Sequence, residues 1–291
     1  MSSVSLYVAC VLIWGSTWLA ITFQLGQVPP AVSVAYRFAL ASAILLAYCV
    51  IRRLPMRYTL RDHAWIALQG LLLFSTNYVL VYLSEGHISS GLTAVIFSSM
   101  AFWNILGMRY FYATPLRPAA LIGAALGVLG VAIVFGPELT IFSKDGGGIL
   151  GLGYGLAATL AASLGNITAT RNQRHGLPIV QQNTFGMFYG ALLVTLFALL
   201  TGERFVFEST ASYALSLLYL ALFGSVLAFG GYLTLLGRIG ADRAGYISVA
   251  IPIVAVLLST LFEGFRWRPG TVLGIALCML GNVLVLQWKK P

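Results

Sequence analysis

A single arginine stands inside an otherwise apolar stretch of the sequence. Arg37 is the only charged residue well inside a predicted membrane helix (residues 31–51), about 10 Å from its start at 1.5 Å per residue. A charge at this depth is costly in lipid and is by default a functional hypothesis. Arg37 could attract the carboxylate of a small substrate, or its side chain could reach outward or cap a neighbouring helix. Both interpretations stay open at this point.

Aromatic side chains with polar tips recur within the apolar stretches. Trp14 and Trp18 are four residues apart, as are Tyr78 and Tyr82, so each pair shares one face of a helix. Such rings suit a pocket for an amphipathic solute that carries a ring or an aliphatic side chain. Each ring could instead pack in the core or face lipid. The aromatic residues predicted to line a substrate cavity are Trp14, Trp18, Tyr78, Tyr82, Trp103 and Tyr246.

Uncharged polar side chains also fall inside predicted helices. In lipid they must find partners, and they could bind the charged groups of a substrate or join two helices, which is the commoner outcome. We assign Asn77, Ser99 and Asn166 to the predicted cavity, together with Arg37 and the aromatic set. The polar residues considered are Asn77, Ser98, Ser99, Asn104, Asn166 and Asn282.

The acidic residues lie at predicted helix ends or in loops, and none lies near a helix centre. Proton-driven carriers often use buried acids or histidines, so the pattern favours a facilitative carrier, or coupling through a site that the sequence does not identify. The three cysteines lie in apolar runs and have no metal-ligand spacing. We therefore predict no metal and no cofactor. The glutamates are Glu85, Glu138, Glu203, Glu208 and Glu263.

The composition indicates that membrane helices position these residues. Of the 291 residues, 59% are hydrophobic and 9% are charged, whereas soluble domains carry roughly 25% charged residues. A soluble enzyme and a nucleic-acid-binding domain are therefore excluded as classes. The net charge of +9 comes from basic residues at segment ends, which is typical of cytoplasmic loops in membrane proteins.

The predicted fold class is an all-α membrane protein with ten transmembrane helices. A spanning helix needs about 20 mostly apolar residues, and the runs are too long and too uniformly apolar for the strands of a barrel. The first run lacks a basic start and a cleavage site, so we interpret it as a retained helix. The ten helices are predicted at residues 4–24, 31–51, 63–84, 91–110, 118–135, 150–171, 179–200, 211–236, 243–262 and 270–288.

The basic residues also predict the orientation of the chain. With the N-terminus in the cytoplasm, 12 of the 17 Lys and Arg residues fall in inner loops or tails and four fall outside. Short loops rich in Lys and Arg stay inside. Both termini are therefore predicted to be cytoplasmic.

The sequence contains an internal repeat. Residues 117–130 (RPAALIGAALGVLG) and 268–281 (RPGTVLGIALCMLG) are identical at seven of 14 positions when shifted by 151 residues. The unit is about five helices, which predicts two repeats at residues 1–145 and 146–291. Because five is odd, the second repeat must enter the membrane from the opposite side. Inverted repeats are a signature of secondary transporters with a site at the repeat interface.

The first helix and the closing segment of each half resemble the EamA family of the drug/metabolite transporter superfamily. The similar first-helix motif is Trp14–Thr17 (WGST), and the resemblance covers nearly the whole chain. It implies export of amino acids, aromatic and other neutral ones, or of similar small metabolites across the bacterial inner membrane. The sequence departs from the typical family pattern in two respects. Ala101 stands where helix four of the family often has a proline. Thr114 and Phe265 stand where the family often has a glutamate after helices four and nine, although Glu263 is nearby.

These patterns together predict a carrier that works by alternating access around a central cavity. Its partners would be a small-molecule substrate and the lipid bilayer, not nucleic acid, with the chain a monomer or a weak homodimer. The sequence has no His-Glu-x-x-His, Gly-x-Ser-x-Gly or Walker A motif, so we predict that it is not an enzyme. The alternatives are a proton-coupled exporter of another substrate class and, less favoured, a channel.

Glycines carry two further predictions. The spacing of Gly123 and Gly127, with a similar small-residue face around Gly274, permits close helix contact. It predicts that helices five and ten pack together or form a dimer interface. The proposed hinge positions are Gly15, Gly86, Gly91, Gly165 and Gly240.

Overall fold

The computed structural model describes residues 2–115, 118–142, 147–239 and 247–287, and these residues form ten helices joined by short connections. The prediction of an all-helical membrane protein is confirmed at this level. Seven helices, α1–α4 and α6–α8, are long and apolar enough to cross a membrane, and the other three contain shorter apolar stretches. The helices are α1 (Ser3–Thr22), α2 (Pro30–Ile51), α3 (Leu60–Glu85), α4 (Ser90–Tyr112), α5 (Pro118–Phe142), α6 (Gly147–Arg174), α7 (Ile179–Leu200), α8 (Ala211–Ile239), α9 (Ile247–Phe262) and α10 (Pro269–Gln287).

Local sequence signals fix where several helices begin. Thr59 and Asp62 form a reciprocal capping box at the start of α3, which satisfies two amide groups that the helix leaves free. The side chains of Ser89 and Thr210 accept hydrogen bonds from the first turns of α4 and α8. Pro30 is the first residue of α2, where the missing amide hydrogen costs nothing.

Two helices contain a π-helical segment near their middle. The segment of α3 is Gly70–Thr76, and that of α8 is Leu220–Leu227. A π-helical turn shifts the backbone hydrogen bonds and often marks a functional position. The sequence patterns did not predict these segments, because they are as apolar as the regular helices around them.

Helices α5 and α10 pack backbone against backbone. A β-carbon on Gly130 would lie 2.5 Å from the carbonyl oxygen of Gly274, and one on Gly281 would clash with the carbonyl oxygen of Gly123. These contacts make the two helices antiparallel. The thiol of Cys278 donates a hydrogen bond to the carbonyl oxygen of Gly127, with the two atoms 3.4 Å apart. The predicted packing of helices five and ten on each other is confirmed.

Other close helix pairs surround the centre of the molecule. Helix α1 packs on α8 and α9, α3 packs on α6 and α7, α2 packs on α7, and α4 packs on α6 and α9. Three of the proposed hinge glycines lie at such contacts. Gly15 faces Val254, Gly165 faces Leu73, and Gly91 faces α9. These glycines therefore permit close approach between helices, which a larger side chain would prevent.

Candidate functional site

A central cavity lies among helices α1, α3, α4, α6, α8 and α9. Its empty volume is about 730 Å³, including the space at its open mouth, and small-molecule pockets measure roughly 300–1,000 Å³. Its wall is mostly apolar, with a few polar side chains. This composition suits a solute that has both an apolar part and charged or polar groups.

Aromatic rings form much of the cavity wall. The ring of Trp14 lies 5.1 Å from the rings of both Phe229 and Tyr232, and the ring of Trp18 lies 5.3 Å from that of Phe97. The indole nitrogen of Trp14 donates to the carbonyl oxygen of Gly224 at 3.1 Å. Gly224 belongs to the π-helical segment of α8, so this irregular turn supplies the acceptor that orients Trp14.

The polar groups of the cavity retain hydrogen-bonding capacity. The side-chain amide of Asn77 donates to the carbonyl oxygen of Leu73, in the π-helical segment of α3, at 3.3 Å. The amide nitrogen of Asn166 lies 3.5 Å from the sulfur of Met100. Within the described residues, the amide oxygens of Asn77 and Asn166 and the indole nitrogen of Trp18 have no hydrogen-bond partner. Two acceptors and one donor are thus available, and buried polar atoms normally have partners.

Arg37 lies behind the cavity wall and is fully buried, with 0% of its surface exposed. Its Nε donates to the hydroxyl of Ser225 at 3.0 Å, and its guanidinium carbon lies 4.3 Å from the centre of the Tyr78 ring. The other two guanidinium nitrogens form no well-aligned hydrogen bond within the described part of the chain, but the hydroxyls of Tyr78 and Tyr82 lie near the guanidinium group. The interpretation in which Arg37 reaches outward to the membrane surface is therefore wrong. The residue is a buried cation stacked on a ring of the cavity wall.

The sequence places no acid near a helix centre, but one acid is nevertheless buried. Glu85, the last residue of α3, is 7% exposed, and neither of its carboxyl oxygens has a hydrogen-bond partner among the described residues. The sequence placed this residue at a helix end, which is correct, but position along a helix does not reveal whether the end is covered.

The structure brings five of the ten sequence-predicted site residues to the cavity wall: Trp14, Trp18, Asn77, Tyr78 and Asn166. Arg37 and Tyr82 are fully buried and do not line it. Ser98, and not the predicted Ser99, lines the wall at the bend between the two parts of α4. Trp103 follows that bend and packs on Phe102 instead. Tyr246 lies outside the described residues.

The sequence analysis missed the wall formed by the second half of the chain. Phe229, Tyr232, Ile247 and Ile251 line the cavity on helices α8 and α9. The repeat offset would have found one of the rings, because Tyr78 shifted by 151 residues is Phe229. Phe97 was missed because it is an ordinary residue of an apolar helix, and Thr17 was noted only as the end of the first-helix motif, not as part of the site.

Family comparison places this cavity in a known class of membrane protein. The model of the EamA-like transporter family matches residues 1–136 and 149–287. The chain belongs to the EamA-like transporter family, within the drug/metabolite transporter superfamily. The resemblance stated from the sequence is confirmed.

Individual relatives span almost the whole chain. An inner membrane transporter of Escherichia coli K12, YedA, described as uncharacterized, is 28% identical and covers 97% of this chain and 89% of its own length. A probable amino-acid metabolite efflux pump of the same strain is 24% identical and covers 96% and 94%. A solved crystal structure has the same fold, with a TM-score of 0.72 at 17% identity, covering 98% of this chain and 96% of its own.

Proposed function

We propose that this protein carries neutral amino acids out of the cell by alternating access around the central cavity. In this proposal it crosses the cytoplasmic membrane ten times with both termini inside. Residues 1–145 and 146–291 form two inverted five-helix repeats. The observation that carries the proposal is the cavity itself, where aromatic rings surround unpaired polar atoms next to a buried cation.

The helix contacts support the inverted repeat. Shifting each partner by 151 residues converts the contact of Gly123 with Gly281 into that of Gly274 with Gly130. The bond between Gly127 and Cys278 joins two residues that are themselves 151 apart. These contacts have the symmetry of a two-fold axis that passes between antiparallel helices α5 and α10, as inverted repeats require.

The other helix pairs and the family match agree with this arrangement. The packing of α1 on α9 corresponds to that of α6 on α4, and the packing of α3 on α6 corresponds to that of α8 on α1. The two π-helical segments also correspond, in α3 and α8. The family model matches two separate segments, one in each proposed repeat.

The polar atoms of the cavity suit a zwitterion with an apolar side chain. The free amide oxygens of Asn77 and Asn166 can accept hydrogen bonds from an ammonium group. The free indole nitrogen of Trp18 can donate to a carboxylate, which the charge of Arg37 behind Tyr78 also attracts. The rings provide apolar contact for the side chain.

The relatives support the substrate class and the direction. One of them is named a probable amino-acid metabolite efflux pump, and another is named an inner membrane transporter. We extend both properties to this chain as part of the proposal. The facilitative mode predicted from the sequence depended on the absence of a buried carboxylate, and Glu85 removes that reason.

Counterflow in liposomes tests the proposal directly. Liposomes that contain the purified protein and an excess of unlabelled amino acid are expected to take up the same radiolabelled amino acid transiently at equal pH on both sides. Threonine, methionine, phenylalanine and tryptophan form the panel, and empty liposomes are the control. Saturable uptake of at least one of them would support the proposal. Folded protein that exchanges none of the four would rule out the amino-acid assignment.

Replacing Trp18 by alanine is expected to weaken transport of phenylalanine and tryptophan. The ring forms part of the cavity wall beside Phe97, and the loss of one aromatic contact corresponds to about a tenfold rise in KM. Trp103→Ala is the matched control, because Trp103 packs on Phe102 and does not line the cavity. Counterflow kinetics give the KM of each variant. An equal rise in the two variants would contradict the described wall.

A further inference from the structure

Two carboxyl groups lie at the end of the molecule where helix α3 ends and helices α4 and α9 approach each other. Glu85 ends α3, and Glu263 follows the last residue of α9. The carboxylate of Glu263 accepts hydrogen bonds from the backbone amide of Ser90, at 3.3 Å, and from the hydroxyl of Ser90, at the start of α4. Ser90 follows Glu85 by five residues, so Glu85 and the bond between Ser90 and Glu263 lie at the same end of the helices.

This cluster lies directly beyond the cavity. On α3, Glu85 is four residues from the wall residue Val81, and on α4, Ser90 is four residues from the wall residue Ala94. At 1.5 Å per residue, each step corresponds to about 6 Å along the helix. The bond between Ser90 and Glu263 therefore joins α4 to α9 at the end of the cavity farther from Ile247. If this end opens, that bond must break.

Further polar groups in the cluster are buried and unsatisfied. The hydroxyl of Tyr82, one turn before Glu85, lies near the guanidinium group of Arg37 and forms no well-aligned hydrogen bond among the described residues. The hydroxyl of Ser259, on α9, also lacks a partner among them and lies against Gly91. Both side chains are 0% exposed. Buried polar atoms without well-aligned partners are uncommon, and here they lie on the helices that carry the two acids.

Among residues 2–115, 118–142, 147–239 and 247–287, few charged or titratable groups lie around Glu85. Glu263 is the nearby acid, and Arg37 on α2 is the cation that acts on Glu85, without forming an ion pair with it among the described residues. Tyr82 is on the same helix, and His87 is stacked on Tyr154 of α6, with ring centres 5.8 Å apart. Within their described residues, the segment of α4 facing this end (Ser90–Phe97) and helix α1 place no acid or base here.

This environment favours the protonated form of Glu85 while the helices are closed. An ionised carboxylate that is buried without a hydrogen-bond donor loses its hydration and gains no compensating bond, and a second carboxylate nearby makes ionisation less favourable still. Glu85 is buried and has no donor among the described residues, so it is the group that holds the proton. Separation of α4 from α9 would let water reach Glu85 and would favour release of the proton.

We propose that Glu85 is a proton-binding site which, together with the bond between Ser90 and Glu263, holds this end of the cavity closed. Proton binding then favours the closed arrangement, and proton loss favours opening. Since the closed state binds the proton more tightly, opening becomes easier as the pH rises. The proposal depends on the transport function proposed above, because it assigns to that transport a step that requires proton release.

Counterflow at a series of symmetric pH values from 5.5 to 8.5 tests this site. The wild-type rate is expected to rise at least tenfold across the series. Glu85→Gln keeps the shape of the protonated acid and cannot ionise, so its rate is expected to stay low and independent of pH. Glu203→Gln is the matched control, because Glu203 is an exposed carboxylate in the loop before α8, and it is expected to follow the wild type.

A second variant protects the test against simple loss of folding. Ser90→Ala removes the hydroxyl donor to Glu263, so it is expected to weaken closure and to raise counterflow at pH 5.5 several-fold. A gain of rate cannot come from unfolding. The proposal is overturned if the wild type is insensitive to pH, or if Glu85→Gln keeps the wild-type pH profile. If no variant and no wild type shows counterflow at any pH, the transport proposal itself has failed.

Discussion

Replacing Gly130 by alanine is expected to destabilise the folded protein strongly. The added β-carbon would lie 2.5 Å from the carbonyl oxygen of Gly274 and 2.6 Å from the sulfur of Cys278. Both partners belong to α10, and the backbone oxygen cannot move without shifting that helix. Overpacking of this kind costs about 1–3 kcal/mol, and membrane helices held by small residues depend on close backbone approach. Thermal unfolding in detergent, followed by size-exclusion chromatography, measures the loss.

Gly127 provides the matched control on the same helix. A β-carbon there would meet nothing within 4 Å, so Gly127→Ala is expected to leave the unfolding temperature unchanged or slightly higher, because alanine favours helix more than glycine does. The comparison separates packing from helix propensity. Equal stability of the two variants would show that α5 and α10 are not in backbone contact at Gly130.

The sequence predicted the fold well because hydropathy and packing signals are local. A helix that crosses lipid needs a long apolar run, and close helix contact needs small residues at regular spacing. Both signals can be read directly along the chain, as for Gly123 and Gly274. The π-helical segments Gly70–Thr76 and Leu220–Leu227 carry no such signal. They depend on partners from other helices, such as the indole of Trp14.

The site was predicted only in part because a cavity wall depends on helix rotation and on bends. Trp14 and Trp18 lie on the face of α1 that lines the cavity, and their four-residue spacing indicated this shared face. Trp103 was misplaced because α4 bends at Ser98 and Ser99, after which the helix presents Met100 to the cavity. The burial of Glu85 was missed for a similar reason. Loops and neighbouring helices, not the residue's own segment, determine whether a helix end is covered.

Arg37 connects the site to the proposed substrate through charge alone. Its guanidinium group lies 4.3 Å from the centre of the Tyr78 ring, on a residue of the cavity wall. A carboxylate on the far side of that ring would be about 8 Å away, where two unit charges interact by about 2 kcal/mol at an effective dielectric constant near 20. This energy corresponds to about a thirtyfold change in affinity. No acid forms an ion pair with Arg37 among the described residues, so its charge is available for such an interaction.

Replacing Arg37 by methionine is therefore expected to raise KM for a transported amino acid about thirtyfold. The fold should survive, because methionine can pack on Phe38 and Tyr78, and the change breaks no direct ion pair among the described residues. Arg37→Lys keeps the charge and is expected to retain most of the affinity. Counterflow kinetics and thermal unfolding, measured on the same preparations, give both quantities.

The amide of the same amino acid separates an electrostatic role of Arg37 from a structural one. The amide lacks the carboxylate charge, so its inhibition of wild-type counterflow is expected to be weaker and to change little in Arg37→Met. An arginine that only supports the cavity wall would, when replaced, weaken the amino acid and its amide equally. That outcome would contradict the charge interaction, and it would leave Ser225, which accepts the hydrogen bond from Arg37, as the reason for the buried position.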